Sequence, residues 1–340
     1  MTQPGQNLMK SLALILCVAS AGLHAQSKTG TTIGQFTLID PGARSAAMGG
    51  AGVTSSSEAV ASFYNPGALG ALGRSDFQFT YNQWLAGITV SNAVAAVRIG
   101  SIGTAAIAVT NLSSGDIPVT TVEQPLGTGE QFSVSDLLVG LGWGMAVTDR
   151  FSFGIQVNYV SERIWHSSVA VVGVNIGTIY RLSPDGLCIG ASLINFGTKG
   201  RFDGTDLRVS YNEDPSRYGA NSTLPATINA DYFTLPIVFR VGLGYPVVLD
   251  GANTVTLAVD ALHPSDEAEC VNMGAEWAFQ NVLFLRAGYQ SLFLKDSEVG
   301  LTAGAGVQWD GLGYDLRLDY AWASFGRLGG VQRVTLAFAF

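Results

Sequence analysis

The fold class to expect from this sequence is a transmembrane antiparallel β-barrel of about fourteen strands with an N-terminal plug segment. Three observations predict it. Segments of about ten residues alternate apolar with polar side chains, which gives one apolar and one polar face at the strand period of two. Charged residues make up only 13% of the 340 residues while glycine reaches 42, and charge at about half the roughly 25% of ordinary soluble domains cannot clothe a water-facing surface. The chain also opens on an export signal, and downstream of it no apolar run reaches the roughly 20 residues a spanning helix needs. A closed barrel is then the way to satisfy every backbone group in lipid.

The elements follow in chain order. Residues 1–25 read as a cleaved secretory signal: Lys10, the apolar run Leu12–Val18, then small residues up to a cut after Ala25. Leu16 stands where lipidation of Cys17 would want a small residue, which argues against a lipoprotein. Residues 26–74 form the plug. Gly49-Gly50-Ala51-Gly52 is too flexible for a strand interior, Ser57–Phe63 suits a short capped helix, and Asn65-Pro66-Gly67 is a turn. Residues 75–340 form the barrel, with strands expected near 75–83, 86–97, 102–111, 131–147, 151–163, 167–181, 186–196, 235–247, 252–261, 268–278, 281–289, 298–310, 313–322 and 331–340.

Alternation is clearest where Phe151, Phe153, Ile155, Val157 and Tyr159 face one way and Ser152, Gly154, Gln156 and Asn158 the other. If the first strand leaves the periplasm, every second connection is short, and the two longest, 112–130 and 197–234, fall outside the cell. The same parity brings Phe340 to the periplasmic rim, as a C-terminal insertion signal.

Inward parity also collects Arg240, Asp260, Glu276, Arg286, Asp315, Arg317, Asp319 and Arg333, four acids and four bases. A balanced set points to ion pairs that fill and stiffen the lumen, since buried charges persist when paired. A single-sign pore would carry an excess of one charge.

Several functions are disfavoured. A net charge of −8 offers no basic footprint for nucleic acid. No G-x-S-x-G elbow, Walker loop or H-E-x-x-H is present, so no enzyme and no cofactor is expected. Cys188 and Cys270 fall at opposite barrel ends, too far apart to bridge. His166 and His263 lie on different outer loops, and Asp203-Gly-Thr-Asp206 is far short of a calcium shell. Gly140-Leu-Gly-Trp-Gly144 lies within a strand, where spaced glycines let a strand bend or approach the plug.

The stretches Phe36–Arg44, Ala47–Val53 and Phe63–Leu69, with Arg44, Met48, Gly49, Gly50, Asn65 and Pro66 as their plug motif, resemble the amino-terminal signature of the PorV/PorQ family of outer-membrane proteins. That resemblance implies a fourteen-stranded FadL-type barrel set in outer-membrane lipid. It further implies a non-enzymatic docking or shuttle role in type IX secretion, with translocon, attachment-complex or cargo proteins as partners. The family's usual Asn-Pro-Ala-Gly-Leu is here Asn65-Pro66-Gly67-Ala68-Leu69, which leaves the turn chemistry intact. The loop 197–234 supplies partner-contact candidates in Arg201, Arg208, Tyr211, Arg217 and Tyr218. The alternative is FadL-like transport of hydrophobic small molecules. It would need a contiguous apolar pocket, whereas the expected lumen is mostly Gly, Ser, Thr, Asn and charge.

Overall fold

The computed structural model describes residues 29–340 except 184–185, 213–215, 217–222, 296 and 312. The expected export signal therefore lies outside the described residues, as do Arg217 and Tyr218. Fourteen strands form the wall: β1 (Asp76–Gln83), β2 (Thr89–Ile99), β3 (Gly103–Ser113), β4 (Val134–Ala146), β5 (Phe151–Ile164), β6 (Ser167–Arg181) and β7 (Cys188–Gly197). They continue as β8 (Val238–Val248), β9 (Asn253–Pro264), β10 (Cys270–Phe279), β11 (Leu283–Leu292), β12 (Leu301–Gly311), β13 (Tyr314–Ser324) and β14 (Gly330–Ala339). Each pairs antiparallel with its neighbours in the chain, and β1 closes on β14 from Asp76↔Ala339 to Gln83↔Gln332. Closure leaves no open edge, which is what a lipid surround demands.

Alternation sets the two faces. Along β1, Asp76, Gln78, Thr80 and Asn82 are buried inward while Phe77, Phe79 and Tyr81 are exposed outward. The outer face carries Leu, Val, Ile and Phe around the circumference, with aromatic residues such as Tyr180, Trp309 and Tyr314 toward the strand ends. This is the apolar belt and aromatic girdle of a membrane barrel.

The short turns share one end. Asp250 organises the β8–β9 turn, accepting the backbone N–H groups of Ala252 and Asn253 at 2.8 Å each. Led by the Ala252 bond, these donors hold its carboxyl below the usual range.

At the long-loop end the structure departs from expectation. The loop after β7 contains a hairpin, Arg208–Tyr211 against Leu224–Thr227, and Asp203–Gly204 pairs with Ser167–Ser168 at the start of β6. The loop after β3 contains a small ladder, Ile117–Pro118 with Gln131–Phe132, so β4 begins at Val134 rather than near residue 131. Neither segment sustains an apolar–polar alternation, and they pair locally over too few residues to leave a periodic trace.

Phe340 completes the seam: its N–H donates to the Ser75 carbonyl at 2.9 Å, and Ser75 N–H donates back at 3.1 Å. Its ring is exposed outward, 5.7 Å from that of Phe338. Deleting Phe340 is expected to lower the yield of folded, heat-modifiable barrel several-fold, read by the mobility shift of unheated samples. An unchanged yield would make the terminal aromatic incidental.

Residues 33–72 enter the lumen and carry the plug's short helices, α1 (Ala43–Ala47) and α2 (Gly67–Ala71), with 3-10 turns at Gln35–Leu38 and Ala59–Phe63. Small side chains let the plug approach the wall: Ala43, Ala46 and Ala47 of α1 pack on Ala321. The helix expected over residues 57–63 is only the Ala59–Phe63 turn, and its own residues do not cap it. Asp76 and Gln78 of β1 accept the Ala59 and Val60 N–H groups at 2.7 and 3.1 Å. The wall thus satisfies donors that a free helix end leaves orphaned.

Candidate functional site

The plug sits on tracks of wall glycines. Gly144, Gly154 and Gly177 are successive cross-strand partners on β4, β5 and β6. A Cβ at Gly144 would lie 2.6 Å from Leu69 Cβ, one at Gly154 would strike the Pro66 carbonyl, and one at Gly177 would strike Asn65 Oδ1. On the other side, Gly274 and Gly288 pair across β10 and β11 directly beneath Met48 and Gly49. Gly49 and Gly50 turn there with φ of 67° and 71°, the left-handed region that glycine enters without cost from a Cβ. Each half of the plug motif therefore has its own bare strip of wall. Within the Gly140–Gly144 stretch, Gly142 and Gly144 both face Leu69.

Polar side chains then pin the plug backbone. Asn65 Nδ2 donates to the carbonyls of Val53 at 2.8 Å and Thr178 at 2.9 Å, while its Oδ1 accepts Gly67 N–H at 2.9 Å. Pro66 follows at the mouth of α2, where its missing N–H costs nothing. Thr302 accepts Gly49 N–H at 3.0 Å and donates to the Ala47 carbonyl at 2.9 Å.

Six charges join plug and wall in a closed ring of alternating sign. Arg44 makes a two-pronged contact with Glu276 at 2.7 and 2.8 Å. Glu276 pairs with Arg286 at 2.6 Å, Arg286 with Asp319 at 2.6 Å, and Asp319 with Arg317 at 2.8 Å. Arg317 reaches Glu58 at 2.7 Å, and Glu58 returns to Arg44 at 3.7 Å. Two members come from the plug and four from β10, β11 and β13, so the ring is neutral and cannot persist if the plug leaves.

The remaining inward charges are engaged separately. Arg333 meets Asp40 of the plug at 3.4 Å, and Asp315 meets Arg74 at 3.1 Å. Asp260 accepts the Val53 N–H at 2.9 Å instead of joining an ion pair. Arg240 lies over the Tyr64 ring, 5.4 Å from its centroid. Sequence parity gathered the wall charges but missed their plug partners Asp40, Glu58 and Arg74, which sit in a segment without periodicity.

The plug leaves space on both sides. On the long-loop side a cavity of about 610 Å³ is floored by Phe36, Ile39 and Asp40 and walled by Leu112, Val238, Leu262, Trp84 and Phe325. Beside it a core of Phe36, Val90, Leu112, Leu138, Val160, Val169, Val171 and Leu235 fills that end of the barrel. The expectation of a mostly polar lumen is thereby corrected: the inward face turns from polar to apolar toward the long loops. On the short-turn side a second cavity of about 610 Å³ is polar, bounded by the Arg44, Glu276, Arg286 and Arg317 charges with Asp76, Asp310 and Asp315. A smaller one of about 200 Å³ adjoins Arg44, Ser55, Ser56 and Ser57.

The loop candidates are dispersed. His166 pairs with Asp206 and His263 with Glu269, each at 3.0 Å, in two separate places. Asp203 bonds the neighbouring Gly204 N–H. Arg201 stacks over Tyr232 at 5.3 Å, while Arg208 and Tyr211 are exposed on the hairpin.

Comparison with solved structures gives the same architecture. The Pseudomonas putida toluene transporter TodX superposes with a TM-score of 0.53 at 13% identity, covering 88% of this chain and 96% of its own. A Pseudomonas aeruginosa FadL homologue gives 0.52 at 12% identity, covering 88% and 97%. The Ralstonia pickettii toluene transporter TbuX gives 0.51 at 14%, covering 89% and 98%. No protein-family model matches the chain, and no curated protein matches it. At these identities the likeness establishes a FadL-type barrel fold.

Proposed function

We propose that the protein is an outer-membrane channel that takes up a small, largely hydrophobic molecule at the long-loop, extracellular end and passes it around the plug toward the periplasm. One observation carries this reading: the apolar cavity of about 610 Å³ above the plug. Its size falls in the range of small-ligand sites, and its walls combine an apolar majority with polar and charged side chains, Asp40, Asp136, Glu162 and Arg240 among them. The toluene transporters among the structural neighbours support the same class of solute. A water-filled diffusion pore is a poorer fit, because the plug is fastened to the wall on both sides.

The cavity-filling variant Leu112→Trp tests the reading, since Leu112 is buried and lines both cavity and core. Uptake of a labelled ring hydrocarbon by cells with this barrel as their only such route is expected to fall several-fold, with the barrel level unchanged. Equal uptake by variant and parent would remove the cavity from any path.

The secretion-docking reading keeps one observation of its own, the exposed hairpin with Arg208 and Tyr211 in a mixed-charge loop, beside the PorV/PorQ-like plug motif. Excising residues 205–228 should leave the barrel inserted and hydrocarbon uptake intact. Loss of surface-displayed proteins in that variant, with uptake unchanged, would move the docking role to the front.

A further inference from the structure

Two acids near the outer end of the wall make no ion pair among the described residues. Asp136 of β4 and Glu162 of β5 are direct cross-strand partners, and both face inward. Their partners on the flanking strands are Leu112 of β3 and Val169 of β6, and the next inward pair along the same two strands is Leu138 with Val160. All four belong to the buried apolar core at this end. Asp136 is itself only 8% exposed. Backbone N–H groups donate to the two acids: that of Arg163 to Asp136, and that of Gly34 in the plug to Glu162 at 2.7 Å.

The other charges around them are committed elsewhere. Arg163 of β5 points outward, where its Nε donates to the Trp165 carbonyl. Arg240 of β8, three strands from β5, lies over the Tyr64 ring. On the plug, Asp40 accepts from Tyr64 and pairs with Arg333. In the β9–β10 loop, Asp266 accepts from Thr32 and Gln35, and the exposed Glu267 beside it adds only negative charge. Like charges directly opposite repel, and in an apolar surround without a cation two carboxylates cannot both ionise unless they are pried apart. One proton therefore stays with the pair. Outward residues at this level, Ser135, Ser161 and Arg163, are polar, so the pair lies above the lipid belt and exchanges protons with the outer medium.

We propose that Asp136 and Glu162 form a proton-linked latch that holds the amino end of the plug across the outer cavity, tight in acid and looser as the medium turns neutral. The held segment is short: Ile33 N–H donates to the Thr234 carbonyl at 3.0 Å, Gly34 is bonded to Glu162, and Gln35 and Phe36 then line the cavity. Lifting Gly34 off the pair admits water, and two hydrated carboxyls ionise in their ordinary range near about pH 4. The latched state thus holds one proton more than the open one. Raising the pH favours opening by up to about tenfold per unit until the latched pair gives up its own proton, and below the ordinary range the dependence ends because both states are fully protonated. The latch concerns the plug's hold on the wall, so it goes beyond the channel reading and does not depend on the solute.

The test is hydrogen exchange by mass spectrometry on the full barrel in nanodiscs, from about pH 5 to about pH 8, corrected for the chemical exchange rate at each pH. Peptides over residues 30–38 are expected to open at least about tenfold more often at the neutral end than at the acid end. Peptides over residues 65–72, held on the glycine track, should not change. Asp136→Asn can neither hold nor release the proton, so its 30–38 segment should stay as protected at neutral pH as the parent's is in acid, and Asp136→Glu should restore the pH dependence. A parent segment that opens equally at every pH, or Asp136→Asn with the parent's slope, overturns the latch. Equal loosening of residues 65–72 would assign the effect to the barrel as a whole and overturn it too. The comparison of the two segments in the parent protein needs no variant to fold.

Discussion

Glu276→Gln is expected to unfasten the plug and turn a closed barrel into a leaky one. Glu276 is the most heavily used acid of the charge ring, holding Arg44 by two bonds and Arg286 by a third. The amide keeps shape and volume but withdraws the charge. Arg44 is then left with Glu58 at 3.7 Å as its ion-pair partner, and the buried Arg286 with Asp319 alone. Removing one partner from a buried ion pair costs about 3–5 kcal/mol, because the opposite charge stays buried and uncompensated. Most of that loss falls on the plug–wall contact, since the backbone ladder of β10 with β9 and β11 does not depend on the side chain. The expected phenotype is therefore a barrel that still inserts and resists unheated detergent, with raised ion conductance and faster protease cutting near residues 54–58. A stable, silent Glu276→Gln barrel would show that the ring adds nothing to closure.

Gly154→Val should have the larger steric effect. Gly154 is the central member of the track under Asn65–Gly70, and any Cβ there meets the Pro66 carbonyl and the Gly67 N–H, both backbone atoms that no rotamer change can move. Valine also suits a strand better than glycine does, so the wall itself is not weakened. The conflict can be relieved only by lifting α2 away from β4, β5 and β6, which breaks the Asn65 bond to the Thr178 carbonyl. Plug displacement and a conducting barrel are expected. Gly73→Ala is the matched control: nothing lies within 4 Å of a Cβ built there, and closure should be unchanged. Equal conductance of the two variants would refute the track.

The wall was legible because every strand repeats one decision, inward or outward, over about ten residues. Phe151–Tyr159 announces its strand without help from the rest of the chain. The plug obeys no period, so its chemistry could be seen only in part. Asn65-Pro66-Gly67 announces a turn, but nothing local says that Asn65 will bridge Val53 and Thr178. Wall glycines read as gaps in an alternating pattern, and whether a gap is idle or filled depends on what opposes it across the lumen, as Gly67 and Pro66 oppose Gly154 and Gly177. The apolar upper lumen was missed for another reason. Val169, Val171 and Val172 run together at the start of β6, where inward and outward faces are both apolar and the alternation loses contrast. Leu112, Leu138 and Val160 likewise face inward near strand ends, so a lumen judged by its polar middle was judged too polar throughout.

With both of its halves fastened to the wall, the plug is expected to close the lumen to ions while leaving the outer cavity accessible. Steady conductance of the purified protein in planar bilayers measures that closure most directly. The parent barrel is expected to add no steady conductance above the bare bilayer, whereas Gly154→Val and Glu276→Gln should each open a persistent conducting state. A parent barrel that conducts ions as freely as either variant would contradict it.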